Sequence, residues 1–131
     1  MNRAVLLPVQ ILRPFPVTEL RGIGATALLD TGSSVSGVGS GLAKRLGLHG
    51  MGKRPLISAQ GEGQAERYAF RIGLQPDRSP EDTPSFPFVF EEVIGIELTN
   101  AFEFDALLGM DILRQCDFSM NRSGDCILRF G

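Results

Sequence analysis

The chain has 131 residues, 43% of them hydrophobic and 21% charged, with a formal net charge of −2; these values fit one soluble globular domain spanning 1–131. The basic residues are mostly Arg and are scattered, so nothing points to nucleic acid or an anionic membrane as a partner. No heptad, internal repeat or run of the roughly 20 apolar residues needed for a membrane span is present.

The first stretch, AVLLPVQIL (4–12), predicts a strand, with Pro8 favouring an edge or a bulge. With Arg3 ahead of it the stretch faintly imitates a secretory leader. Pro8 and Gln10 break the apolar run, however, and no small-residue cleavage site follows. The expectation is a cytoplasmic protein, with a membrane anchor outside these residues left open. LRGIGATALLD (20–30) predicts a second strand, ending on Asp30, and VSGVGS (35–40) reads as a loop. GLAKRLGL (41–48) predicts a short helix with Leu42, Ala43 and Leu46 on one face, Ser40 as N-cap and Gly47 near its end. His49 then falls in a surface loop.

PLISAQGEGQAERYAFRIGL (55–74) predicts two strands joined through Gly61-Glu62-Gly63. In the second of them Tyr68, Phe70, Ile72 and Leu74 form an apolar face, with Ala69, Arg71 and Gly73 on the other. Four prolines and four charges make 75–87 an exposed loop. FVFEEVIGIEL (88–98) is strand-like, and ALLGMDILRQC (106–116) is an apolar run, a Gly and a short helix that Asp111 caps. DFSMNRSGDCILRF (117–130) predicts a hairpin placing Cys126 opposite Ser119 and Cys116 farther down, so both cysteines are expected as free thiols. No metal-ligand spacing is present. Roughly seven strands and two short helices make an all-β chain.

Asp30 is the unusual residue. An apolar strand, Ala27-Leu28-Leu29, ends in a carboxylate followed by Thr31, Gly32, Ser33 and Ser34. An isolated Asp-Thr-Gly is most often a turn whose Asp accepts hydrogen bonds from the next amides. Here a second apolar element, Leu107-Leu108-Gly109, leads into a helix much later in the chain.

ALLDTGSS near the start, a Gly-bearing hairpin in the middle and ALLGMDIL before a helix together resemble the retropepsin-like aspartic protease family, over about residues 20–130. The resemblance implies a closed β-barrel-like half-lobe with one or two short helices, acting as a homodimer on a peptide or protein substrate without cofactor or metal. It assigns catalysis to Asp30, Thr31 and Gly32, with the Thr31 hydroxyl reaching across to the partner copy. Ser33, beside the site with a hydroxyl able to support the carboxylate, and the flap residues Gly61, Glu62 and Gly63 would face substrate. Leu107, Leu108 and Gly109 would support the site. From residues alone the Gly61–Gly63 segment reads first as a tight hairpin turn and only second as a flap, and Ile57, Val35 and Val38 are either pocket lining or core.

Peptide hydrolysis of this kind needs a water between two carboxyl groups, one taking its proton and the other donating to the carbonyl oxygen. Two acids about 3 Å apart share one proton rather than both ionising, so activity is expected on the acidic side of neutral. The chain has one Asp-Thr-Gly; Asp105 and Asp111 flank the second motif without that sequence. The second acid is therefore expected from another chain. Retroviral members commonly carry an acid two positions after the triplet and an Arg just after the second Gly. Here these places hold Ser34 and Met110, which looks closer to bacterial members and leaves dimer strength open. Two other functions remain: a dimerisation or peptide-binding module of the same fold without turnover, and a structural β-domain whose triplet is only a turn.

Overall fold

The computed structural model describes residues 5–58, 61–75, 88–99 and 104–131. Nine strands and two short helices occur among them: β1 (Leu6–Leu12), β2 (Ile23–Leu29), β3 (Gly37–Gly39), α1 (Ser40–Leu46), β4 (Gly50–Ser58), β5 (Gly61–Leu74), β6 (Phe88–Leu98), β7 (Ala106–Leu108), α2 (Met110–Leu113), β8 (Asp117–Met120) and β9 (Cys126–Arg129). The main sheet runs β1-β2-β7-β3-β6-β5-β4, and β1 also pairs with β5. That extra pairing closes six strands into a barrel and leaves β4 outside, against β5. β8 and β9 form a separate two-stranded sheet. No helix among the described residues is long and apolar enough to cross a membrane.

Strand periodicity explains the core. Alternate residues of β5, Phe70, Ile72 and Leu74, point inward and are all but inaccessible. They meet Val9 and Ile11 of β1, Ala25 and Ala27 of β2, Val93 of β6, and Ala106 and Leu108 of β7. Each large aliphatic or aromatic side chain so buried contributes roughly 1.5–3 kcal/mol. Pro8 sits opposite Thr26 of β2, ahead of the point where β5 joins β1 at Gln10. A residue without an N–H is tolerated there because only one flank of the strand is paired. Helix α1 packs Leu42, Ala43 and Leu46 inward, and Gly47 closes it at φ 68°, a left-handed conformation in which glycine carries no Cβ penalty.

Several expectations need correction. The stretch 35–40 is not simply a loop, because β3 runs parallel to β6 and antiparallel to β7. A Cβ on Gly37 would stand 2.9 Å from the Leu98 side chain and 3.1 Å from the Ile96 carbonyl, so glycines that look like loop punctuation admit a tightly packed strand. The N-cap of α1 is Gly39, with Ser40 already helical. Gly61, Glu62 and Gly63 lie in β5, paired with Ser58, Ile57 and Leu56 of β4. The predicted turn at 61–63 is therefore strand; residues 59–60 and 76–87, nearly all of the predicted 75–87 loop, lie outside the described residues. In the final hairpin Cys126 faces Met120 and Ile127 faces Ser119, one residue from the predicted register. Both cysteines are free.

Arg71 departs most from the sequence pattern. It lies on the face opposite the apolar one, yet is 1% accessible. Its guanidinium donates to the carbonyls of Arg13 and Glu19, each at 2.6 Å, and stands 3.9 Å from the Glu91 carboxylate. The segment joining β1 to β2 covers this side of β5, and carbonyl oxygens replace the water the cation gives up.

Candidate active site

The two motifs meet side by side. β2 and β7 run parallel, with Ala27 opposite Ala106, Leu28 opposite Leu107 and Leu29 opposite Leu108. Directly beyond this pair the Asp30 N–H donates to the Leu108 carbonyl at 3.0 Å. The acid is thus delivered at the end of an interior strand, by hydrogen bonds rather than by its own side chain. Asp30 is half-buried, while Thr31 and Gly32 are exposed.

After Asp30 the chain turns sharply. The Gly32 N–H donates to Asp30 Oδ1 at 2.9 Å, and the Ser33 N–H donates to the Asp30 carbonyl at 3.2 Å. A Cβ on Gly32 would stand 3.2 Å from that same Oδ1, so the missing side chain leaves the carboxylate room. Ser33 does not fill the supporting role expected of it. Its hydroxyl donates to the Val35 carbonyl at 2.7 Å, bracing the loop backbone instead of the acid. Val35 is half-buried, and Val38 is core.

The second motif acts as a template for this loop. Gly109 is buried, and a Cβ there would lie 2.3 Å from the Val35 carbonyl oxygen and 2.9 Å from that of Ser33. Backbone occupies the space where any side chain would begin, so only glycine fits. The Met110 N–H then donates to the Ser33 carbonyl at 2.8 Å. Asp111, expected as the helix cap, lies inside α2, whose N-cap is Gly109, and its Oδ1 accepts from the first-turn Ile112 N–H at 2.9 Å. The Asp111 carboxylate also accepts from the Ser36 N–H at 3.1 Å and from the Ser36 hydroxyl at 2.7 Å. Sequence reasoning missed Ser36 altogether. It stands among glycines and small residues, and nothing in the linear pattern connects it with residue 111.

Other carboxylates near the motifs are occupied elsewhere. Asp105 Oδ2 accepts from the Thr26 N–H at 3.4 Å, and Thr26 lies four residues before Asp30, roughly 13 Å back along the strand. No three His, Cys, Asp or Glu residues among those described cluster tightly enough to hold a metal ion. The predicted flap residues stand apart from this network. β5 pairs with β6 only from Arg67 onward, so the portion of β5 before it pairs with β4 alone. That portion is a two-stranded arm reaching beyond the barrel.

No family model matches the sequence, and no curated protein matches it. Among solved structures, the chain is similar to a retropepsin-like aspartic protease from Rickettsia conorii, with a TM-score of 0.57 and 18% identity over 99% of this chain and 97% of that one. It is also similar to the retroviral protease-like domain of Ddi1 from Leishmania major, with a TM-score of 0.51 and 18% identity over 99% and 94% of the two chains. A likeness of this depth and coverage is one of fold: the barrel with its two parallel motif strands is retropepsin-like.

Proposed function

We propose that two copies of this retropepsin-like chain form a homodimeric aspartic endopeptidase, each supplying one Asp30 to a shared site. The observation that carries this reading is the placement of Asp30 on a turn held from the barrel side, with Asp105 and Asp111 committed to other partners. One such carboxylate lacks the second acid that the reaction needs. A feature of the surface beside Asp30 supports the pairing of two copies. A depression of about 620 Å³ lies between β1 and β9, lined by Val5, Leu7, Leu29, Leu128 and Phe130, with Gln75 and Arg129 at its polar side. Leu29 adjoins Asp30, and apolar surface at that position favours association.

In the dimer the paired carboxyl groups hold one water and share one proton. The ionised member takes a proton from the water as its oxygen bonds to the peptide carbonyl carbon. The protonated member donates to the carbonyl oxygen. Collapse of the tetrahedral species then breaks the C–N bond, with a proton passing to the leaving nitrogen. The arm of β4 and β5 covers an extended substrate, whose backbone pairs with strand edges while alternate side chains enter pockets. Catalysis belongs to Asp30, Thr31 and Gly32. Gly61, Glu62 and Gly63 belong to the cover, and Ser33 shapes the loop beside it.

Subunit mixing tests this. Wild-type and Asp30→Asn chains combined equally and allowed to exchange should give about a quarter fully wild-type dimers, half mixed and a quarter inactive. A mixed dimer has one carboxyl group facing an amide and should not turn over, so peptidase activity should fall to about half that of the wild-type chains alone. Undiminished activity after confirmed exchange places a complete site in each chain. Wild-type chains that dimerise and bind peptides without cleaving them point to the binding-module function instead.

A further inference from the structure

We propose that Asp111 and Ser36 are positioning residues for Asp30, acting together as the strut that fixes the far end of its loop. The catalytic consequence rests on the aspartic-protease reading; the mechanical one rests on the loop geometry alone. Ser36 is fully buried, and its three polar groups make four hydrogen bonds. Its N–H and hydroxyl donate to the two Asp111 oxygens at 3.1 and 2.7 Å, its Oγ accepts from the Gly109 N–H at 3.1 Å, and its carbonyl accepts from the Ile96 N–H at 3.0 Å. The residue thus ties the Asp30 loop to β6, to the end of β7 and to α2.

The direction of these bonds demands an acid at 111. A carboxylate only accepts, so the Ser36 hydroxyl must give its proton to Asp111, which leaves an Oγ lone pair for the Gly109 N–H. Asn at 111 would turn an NH2 toward Ser36. If that group donates to Oγ, which already accepts from Gly109, the hydroxyl proton loses its acceptor; a buried network left half satisfied is worse than none. A residue serving only as a helix cap would have no reason to grip a loop 75 positions away in sequence. The loop is tied at three points: Asp30 to Leu108, Ser33 to Met110 and Ser36 to Asp111. Removing Asp111 takes away two of the four bonds that Ser36 makes and leaves this end of the loop held only through Gly109 and Ile96.

Amide hydrogen exchange and peptide kinetics on the full chain test this with Asp111→Ala, Asp111→Asn, Ser36→Ala and Ser36→Thr. In the two alanine variants, amides at residues 31–34 should exchange about 10- to 100-fold faster, as loss of bonds to a charged acceptor implies, with the amides of β2 unchanged. The same variants should lose kcat by a similar factor at nearly constant KM. Ser36→Thr, which keeps the hydroxyl, should recover most of the loss. The double alanine variant should be little worse than either single one, because both remove the same strut. Leu113→Ala, which opens a cavity in the same helix without touching the strut, is the comparison. Equal loop exchange and equal kcat loss in Leu113→Ala, or exchange accelerated uniformly through the chain, would overturn the proposal. Should the alanine variants not fold, Asp111→Asn decides it by the same readings. If wild type cleaves no peptide, the protease reading fails while the exchange measurement still settles the strut.

Discussion

The chain uses one tripeptide twice, and the two uses end differently. Ala27-Leu28-Leu29 and Ala106-Leu107-Leu108 lie side by side in matching register, each with its second Leu and first Ala on the barrel side. The first runs into Asp30, half-buried beside exposed Thr31 and Gly32; the second runs into Gly109, buried beneath the loop that the first one starts. One strand end presents a carboxylate, and the other is the bed on which that carboxylate's loop lies. Identical strands do not make identical sites. What differs is the residue just beyond the strand and what backbone must pass over it.

Removing the carboxylate should have the largest effect. Asp30→Asn keeps the shape and the acceptor for the Gly32 N–H, so the fold and the proposed dimer should persist. Peptide hydrolysis should nonetheless fall at least about a thousandfold, within the range one acid–base group supplies. Larger residual turnover would count against the two-carboxylate mechanism.

Damaging the bed should act on stability instead. Gly109→Ala drives a methyl to 2.3 Å from the Val35 carbonyl oxygen, and urea unfolding should show a loss of about 3 kcal/mol. At the carboxylate end the equivalent methyl of Gly32→Ala meets only Asp30 Oδ1, at 3.2 Å. Its cost in stability should stay below about 1 kcal/mol, while kcat falls because the carboxylate is displaced. Equal unfolding costs at the two glycines would erase the contrast between the two ends.

The smallest effect lies away from both ends and marks the barrel wall. The Tyr68 hydroxyl donates to Glu97 at 2.6 Å, and this hydrogen bond, with burial and the Glu97 charge adding to it, pushes the phenol up to about 12 from 10.0. The folded chain therefore holds this proton more tightly than the unfolded chain. The stability so contributed is complete below pH 10 and is lost as pH rises through about 12. Tyr68→Phe should cost about 1 kcal/mol near neutrality, the pair being partly solvated. It should also flatten the decline in melting temperature above pH 10, and an unchanged decline would assign it to other groups.

The contrast between the two strand ends also marks how far the sequence could be read. Period-two alternation in β5 named a core strand because burying one face fixes which residues are apolar. Asp30 was legible because a carboxylate closing an apolar run is a local conflict. The partnership of β2 with β7 was not encoded locally; it follows from closing six strands into a barrel. The same holds for β3, whose glycines read as a loop until Leu98 and Ile96 are packed against Gly37.

What the sequence by itself determined was most of the strands, the acid and the absence of a second Asp-Thr-Gly to match it. These depend on side-chain type and on spacing within a dozen residues. Only the tertiary structure decided that Gly109 cannot carry a side chain, that Arg71 is buried under the segment joining β1 and β2, and that Asp111 holds Ser36. Each of these depends on backbone from a distant part of the chain occupying a particular few ångströms. Hydrophobic periodicity carries no information about which carbonyl or hydroxyl will arrive there.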